Sequence, residues 1–314
     1  MKIRTSSLSG GAGNTIALTE AAYFLRNNDF IHYVRLRKLP DEGTTIILSA
    51  TVDPWIYQCL YGDRVVVHDL GSVQPKGTLI QINRNSFSQA SLGKLEKAEG
   101  AAKILRDFAE MNFRRISFQS LESDKIVLDS HFGATEGDNR FTGENLLVLG
   151  TQNIPEHSLR LRAASLGLET STIKGYHSVQ PCRVTYGSYE FRYMALSDDP
   201  DIQRIQFGFT KGQIEQAVGR ARYYEYPSTV VLYSNFPLDT FTQWSTREEY
   251  VATEGEFVGT RRIIEKPERE VETSVPSGQR LLVLGKGIHP FRDIIKELIG
   301  NVPHPQLIPA SVPA

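Results

Sequence analysis

The stretch Asn145-Leu146-Leu147-Val148-Leu149-Gly150-Thr151 decides the fold. A short apolar run stops at a glycine and a hydroxyl, and helical spacing takes over from Glu156 to Leu166. That unit, a strand giving way to a helix, recurs on both sides. Upstream, Thr44–Leu48, Val65–Val67, Leu79–Ile82, Arg115–Phe118 and Lys125–Leu128 read as strands. Leu92–Glu110 carries apolar residues at helical spacing and reads as one or two helices. Downstream, Asp199–Phe207 and Lys211–Ala221 read as helices, and Thr229–Tyr233 closes the series as a strand. Alternating strands and helices predict an α/β fold with a mostly parallel sheet and helices on both faces.

Around this body the pattern is weaker. Thr15–Arg26 is a candidate helix behind a flexible Ser9–Asn14 turn. Cys182–Tyr186 and Tyr189–Met194 flank Gly187-Ser188, a two-residue turn of the hairpin type, which predicts a β-hairpin inserted at the sheet's edge. Residues 241–279 are polar, with Glu265-Lys266-Pro267-Glu268-Arg269-Glu270 as a solvated linker. Arg280–Gly285 is one more strand, Phe291–Ile299 a short amphipathic helix, and the tail is rich in proline.

Composition excludes several classes. The 314 residues are 40% hydrophobic and 23% charged, as in ordinary globular proteins. Only Cys59 and Cys182 occur, far apart, which argues against a disulfide scaffold or a cysteine zinc site and fits a reducing cytoplasm. His131, His157 and His177 show no metal-ligand spacing, so no metal site is expected from them. No apolar run has the roughly 20 residues of a membrane span, and residues 1–20 carry no apolar core long enough to be expected to act as a signal peptide. A net charge of -1 leaves nucleic-acid binding open, because binding depends on local basic patches.

The sharpest chemical signal is Gln213-Ile214-Glu215-Gln216-Ala217-Val218-Gly219-Arg220-Ala221-Arg222. Gly219 permits close backbone approach, and an arginine fork suits a phosphate. The same residues could simply close a helix, since Arg complements the dipole at a C-terminus. Tyr223-Tyr224-Glu225-Tyr226, just beyond, could stack on bases or pack under the sheet.

The segment resembles motif VI of superfamily 2 nucleic-acid helicases, Gln-x-x-Gly-Arg-x-x-Arg. Gln216, Gly219 and Arg220 match by position; Arg222 follows the first arginine by two residues where the family has three. The resemblance implies a RecA-like second motor domain in which Arg220 is an arginine finger on the γ-phosphate of ATP, with Gln216 and Arg222 beside it. Leu48-Ser49-Ala50-Thr51 resembles motif III, whose hydroxyls, Ser49 and Thr51, couple the ATP and nucleic-acid sites. Arg115–Gln119 falls where motif IV lies, which implies that Gln119 contacts the nucleic-acid backbone. The region from His131 to Pro155 is similar to motif V of divergent bacterial, plasmid and phage helicases. It implies Gly137 and Asn139 as nucleic-acid contacts and Gly150 and Thr151 as ATP contacts, since glycines at a strand's C-terminal end let amides approach phosphates. Glu136 stands where an arginine is usual.

Equally informative is what is missing. There is no Gly-x-x-x-x-Gly-Lys-Ser/Thr loop; Gly10–Thr15 has no lysine, and Gly285-Lys286-Gly287 is too short and lacks the magnesium-holding hydroxyl. No Asp-Glu strand end precedes Ser49. ATP and Mg²⁺ are therefore expected to be held mainly by a first motor domain outside this sequence, and the chain alone is not expected to hydrolyse ATP. The implied organisation is a first-domain remnant over 1–51 that packs poorly, a second motor domain over 52–237, a linker over 238–279 and the start of a further module over 280–314. DNA or RNA is the expected partner, with the missing motor domain. Two alternatives stay open: a non-catalytic module of helicase descent, and a doubly wound transferase with Arg220 on a nucleotide diphosphate.

Overall fold

The computed structural model describes residues 21–27, 30–36, 44–49, 51, 53–69, 73–124, 126–134, 139–244, 260–262 and 281–284. In chain order the strands are β1 (Tyr23–Asn27), β2 (Phe30–Val34), β3 (Thr45–Leu48), β4 (Val65–His68), β5 (Thr78–Ile82), β6 (Arg114–Ser117) and β7 (Ser130–His131). They continue with β8 (Leu146–Leu149), β9 (Cys182–Tyr186), β10 (Tyr189–Tyr193), β11 (Thr229–Tyr233), β12 (Thr242–Trp244), β13 (Thr260–Arg262) and β14 (Leu281–Leu284). The helices are α1 (Pro54–Tyr61), α2 (Gln89–Leu92), α3 (Leu95–Glu110), α4 (Glu156–Ser165) and α5 (Pro200–Val218).

The central sheet has six strands in the order β12-β5-β11-β8-β6-β7, and every pair in it is parallel. Strand β8 lies inside it and is buried on both faces, which is why its sequence is apolar at every position rather than alternately. The two faces divide by the period of two. Leu79, Leu146, Val148, Val230 and Leu232 pack toward α5, against Phe207, Ile214, Ala217 and Val218. Ile80, Leu147, Leu149, Val231 and Tyr233 pack toward α3, against Ala101, Leu105 and Phe108. Each such side chain contributes about 1.5–3 kcal/mol of burial. The expected α/β sheet with helices on both faces is what the chain forms.

Several expectations need correction. Residues 23–26 are not helical: they belong to β1, which pairs antiparallel with β2 and lies on α4. Val34 of this pair is fully buried, so part of the lead-in packs well. Of the expected 125–128 strand only residues 126–128 are described, and they are not in a strand. Ser123 and Ile126 bond to each other and turn the chain, and pairing with β6 begins at Ser130. The two helices over 199–221 are one helix followed by a 3-10 turn at Gly219–Ala221; Gly208 and Gly212 do not interrupt it. The hairpin β9–β10 does not extend the central sheet. It joins β13 in a separate antiparallel sheet, and its inner residues Val184, Phe191 and Tyr193 share the core on the α5 face.

Strand β12, in the region read as a linker, lies against β5 because Gln81 and Gln243 form one buried amide network. Strands β3, β14 and β4 form a small parallel sheet in that order. Its pairing joins segments on both sides of the boundaries drawn at 51 and 280. Among the described residues no helix is long and apolar enough to cross a membrane.

Candidate functional site

Helix α5 organises the site. Asp199 caps it, accepting from the backbone N–H groups of Asp201 at 2.8 Å and Ile202 at 3.2 Å, and Pro200 supplies the first helical turn. Nineteen residues make a rod of about 28 Å. Its upper part stands beside the C-terminal ends of the strands. There Thr210 bonds the Tyr193 hydroxyl at 3.2 Å, and that hydroxyl donates to Asn153 in the loop after β8. Burial pushes the Tyr193 phenol far up, so it remains a neutral donor. The lower end lies beside the strands' N-terminal ends. The Ala221 carbonyl accepts from Gly143, ahead of β8, and from Ser228, ahead of β11.

This placement separates residues expected to share one ATP site. Arg220 stands at the strand N-terminal end of the central sheet, whereas Gly150 and Thr151 stand at the C-terminal end, roughly 13–16 Å away along a strand. Gly150 and Thr151 also have packing duties. Gly150 has φ 147°, and a Cβ there would come within 2.6 Å of Phe132 and 2.8 Å of Phe118. The Thr151 hydroxyl is enclosed, donating to the Ser86 carbonyl and meeting Ser234 Oγ at 2.7 Å. Neither residue offers an open surface to a phosphate, and both serve to lock the strand ends.

At the lower end Arg220 is half-buried, and its Nε is enclosed without a hydrogen-bond partner. Gly219 beside it faces open space. Arg222 is turned away: its backbone takes φ 53°, and its guanidinium reaches the exposed Asn139 at 3.4 Å. Asn139 thus lies at the strand N-terminal end, apart from Thr151, and Gly137 falls outside the described residues. Gln119 is exposed in the turn after β6, at the C-terminal rim. Tyr223 is buried in the core with Tyr224 packed against it, so packing accounts for this pair; Tyr226 is exposed.

The motif III candidates come to the same helix. Ser49 Oγ accepts from the Thr51 backbone N–H at 3.3 Å, and the Thr51 Cβ lies 3.9 Å from where a Gly212 Cβ would stand. Asp53 fixes this segment. It caps α1 through the Trp55 backbone N–H at 3.0 Å, and it accepts both arms of the Arg204 fork, Nε at 2.6 Å and Nη2 at 2.8 Å. The Arg204 guanidinium also lies 5.0 Å from the Trp55 ring centre. Gly212 and Gln216 are four residues apart on α5 and share a flank of it, and Arg220 follows in the 3-10 turn after the helix. Thr51 sits beside Gly212, and Arg220, whose Nε has no hydrogen-bond partner among the described residues, lies below it past the helix end.

Asp53, Arg204 and Trp55 are functional candidates that sequence reasoning missed. Asp-Pro ahead of an apolar run was a readable helix start, but nothing in the chain announced that Asp53 meets a residue 151 positions on. Among the described residues no cluster of His, Cys, Asp or Glu could hold a metal ion. His157 instead stacks on His32, with ring centres 3.8 Å apart. No protein-family profile, curated protein or solved structure matches this chain.

Proposed function

We propose that this chain is the second, RecA-like motor half of a superfamily 2-type ATP-dependent nucleic-acid helicase or translocase. The observation that supports it best is the half-buried Arg220 just past the end of α5, whose Nε is enclosed without a hydrogen-bond partner among the described residues, with Gln216 on the helix before it. An enclosed, unsatisfied guanidinium N–H is a donor that an anion can answer. On this reading the anion is the terminal phosphate of ATP, carried with Mg²⁺ by a first motor domain. Arg220 neutralises the charge that develops as the phosphoryl group transfers, and Gln216 donates beside it. Ser49 and Thr51 link that site to a nucleic-acid strand lying on the C-terminal rim of the sheet, near Gln119. The displaced Arg222 takes no part.

The test joins this chain to a first motor domain bearing Gly-Lys-Thr and Asp-Glu motifs and measures nucleic-acid-stimulated ATP hydrolysis. Arg220→Ala is expected to lower turnover by roughly 10³-fold or more with folding intact, the loss typical of an arginine finger. Turnover within about threefold of wild type, far below that loss, would refute the assignment.

A further inference from the structure

The geometry points to a second anion position, on Arg162 of α4, that takes a backbone phosphate of a single-stranded nucleic acid; this rests on the nucleic-acid reading above. Arg162 Nε is enclosed with no hydrogen-bond partner, as Arg220 Nε is. No ion pair to Arg162 occurs among the described residues, and its only charge-related contact there is the Phe209 ring, 5.3 Å from the guanidinium carbon. Burial holds its pKa below the usual arginine range, the sign of a cation short of solvent and counter-ion. A ring face offsets only part of that cost, whereas a charge-assisted contact to phosphate offsets more. Arg162 as a whole is only partly buried, so the residue is not sealed from a ligand.

Position selects the ligand. Phe209 adjoins Thr210, which Tyr193 ties to Asn153, so Arg162 stands level with the C-terminal rim. Phe209 and Arg220 are eleven residues apart, about 16 Å along the helix, too far for both arginines to close on one phosphate. The segments 83–87, 118–121, 150–155 and 234–237 that follow the strands at this rim contain Arg84 and no carboxylate. Arg84 gives a polyanion on the rim a second cation, and Glu156, the residue after 155, is already engaged by Arg160 at 2.9 Å. Gln152, in the loop leading to α4, likewise has a buried side-chain oxygen with no donor among the described residues.

The test uses the chain as it stands and a labelled single-stranded oligonucleotide, with binding followed by anisotropy across a salt series. Arg162→Met is expected to weaken binding about five- to tenfold and to make the slope of log K against log salt shallower by about 0.7, the value of one lost phosphate contact. Arg162→Lys keeps the slope, and Arg222→Met changes neither quantity. The unliganded Arg162→Met chain should melt at a higher temperature than wild type, because an unpaired buried charge is gone. A wild-type chain that binds no oligonucleotide overturns both this proposal and the nucleic-acid reading. Wild-type binding that Arg162→Met leaves unchanged in strength and slope overturns this proposal alone. Loss of ATP or tripolyphosphate binding with oligonucleotide binding intact also overturns it.

Discussion

Asp53 takes the Arg204 fork on both carboxylate oxygens while the same carboxylate caps α1, so one side chain ties the chain segment after Thr51 to α5. The two roles separate on mutation. Arg204→Ala removes the fork and is expected to cost about 1 kcal/mol, because Arg204 is partly exposed and solvent screens the pair. Asp53→Ala removes the fork and the cap together and is expected to cost about 2 kcal/mol. Urea denaturation of both single variants and the double variant measures the coupling. Equal costs for the two single variants would mean that the cap contributes nothing.

Gly150→Ala tests the reading of Gly150 as a packing residue. The backbone lies at φ 147°, and the new methyl would meet two aromatic rings that themselves pack at 5.0 Å. A loss of about 2–4 kcal/mol is expected, the size typical of strain combined with overpacking. Thermal denaturation checks it; a change under about 0.5 kcal/mol, the size of an inert surface substitution, would show that the ring pair yields.

Gln81 is fully buried and uses its whole amide. Its Nε2 donates to the carbonyls of Ser234 at 2.8 Å and Phe236 at 2.7 Å, and its Oε1 accepts from Leu238 N and Gln243 Nε2. Gln81→Leu leaves these partners unsatisfied in the core and is expected to cost at least about 3 kcal/mol. Hydrogen exchange should show the effect at β12 first, since the network holds that edge strand. Uniform loss of protection across the sheet would contradict a local role.

The stacked pair His32–His157 is expected to make docking of β1–β2 on α4 dependent on pH. His157 is held below its ordinary value by burial first and by His32 second, with Glu156 opposing. The unfolded chain therefore binds this proton more tightly than the folded one. Its stabilising contribution is complete above the unfolded value of about 6.5 and declines as pH falls from there toward the folded value. Stability measured from pH 8 down to pH 5 should fall less steeply in His157→Gln than in wild type. Parallel curves would remove the histidine pair from the account.

The sequence by itself determined the strand and helix alternation, and with it the parallel sheet. Leu146–Leu149 has no polar position, so it needs apolar cover on both faces, and the helical spacing on either side of it in the chain points to a buried strand covered by helices. Asp199-Pro200 likewise announced the start of α5. Tertiary structure alone decided which chemistry-bearing residues meet. The helicase resemblance implied that Arg220 shares a site with Gly150 and Thr151, yet a helix running antiparallel to its strands carries Arg220 to the opposite end of the sheet. The approach of Thr51 to Gly212 and the ion pair of Asp53 with Arg204 join residues over 150 positions apart. Arg162 and Arg220 are single letters among many arginines in the sequence. Their enclosed, unanswered N–H groups exist only once neighbouring elements have closed over them, because desolvation is a property of packing and not of residue type.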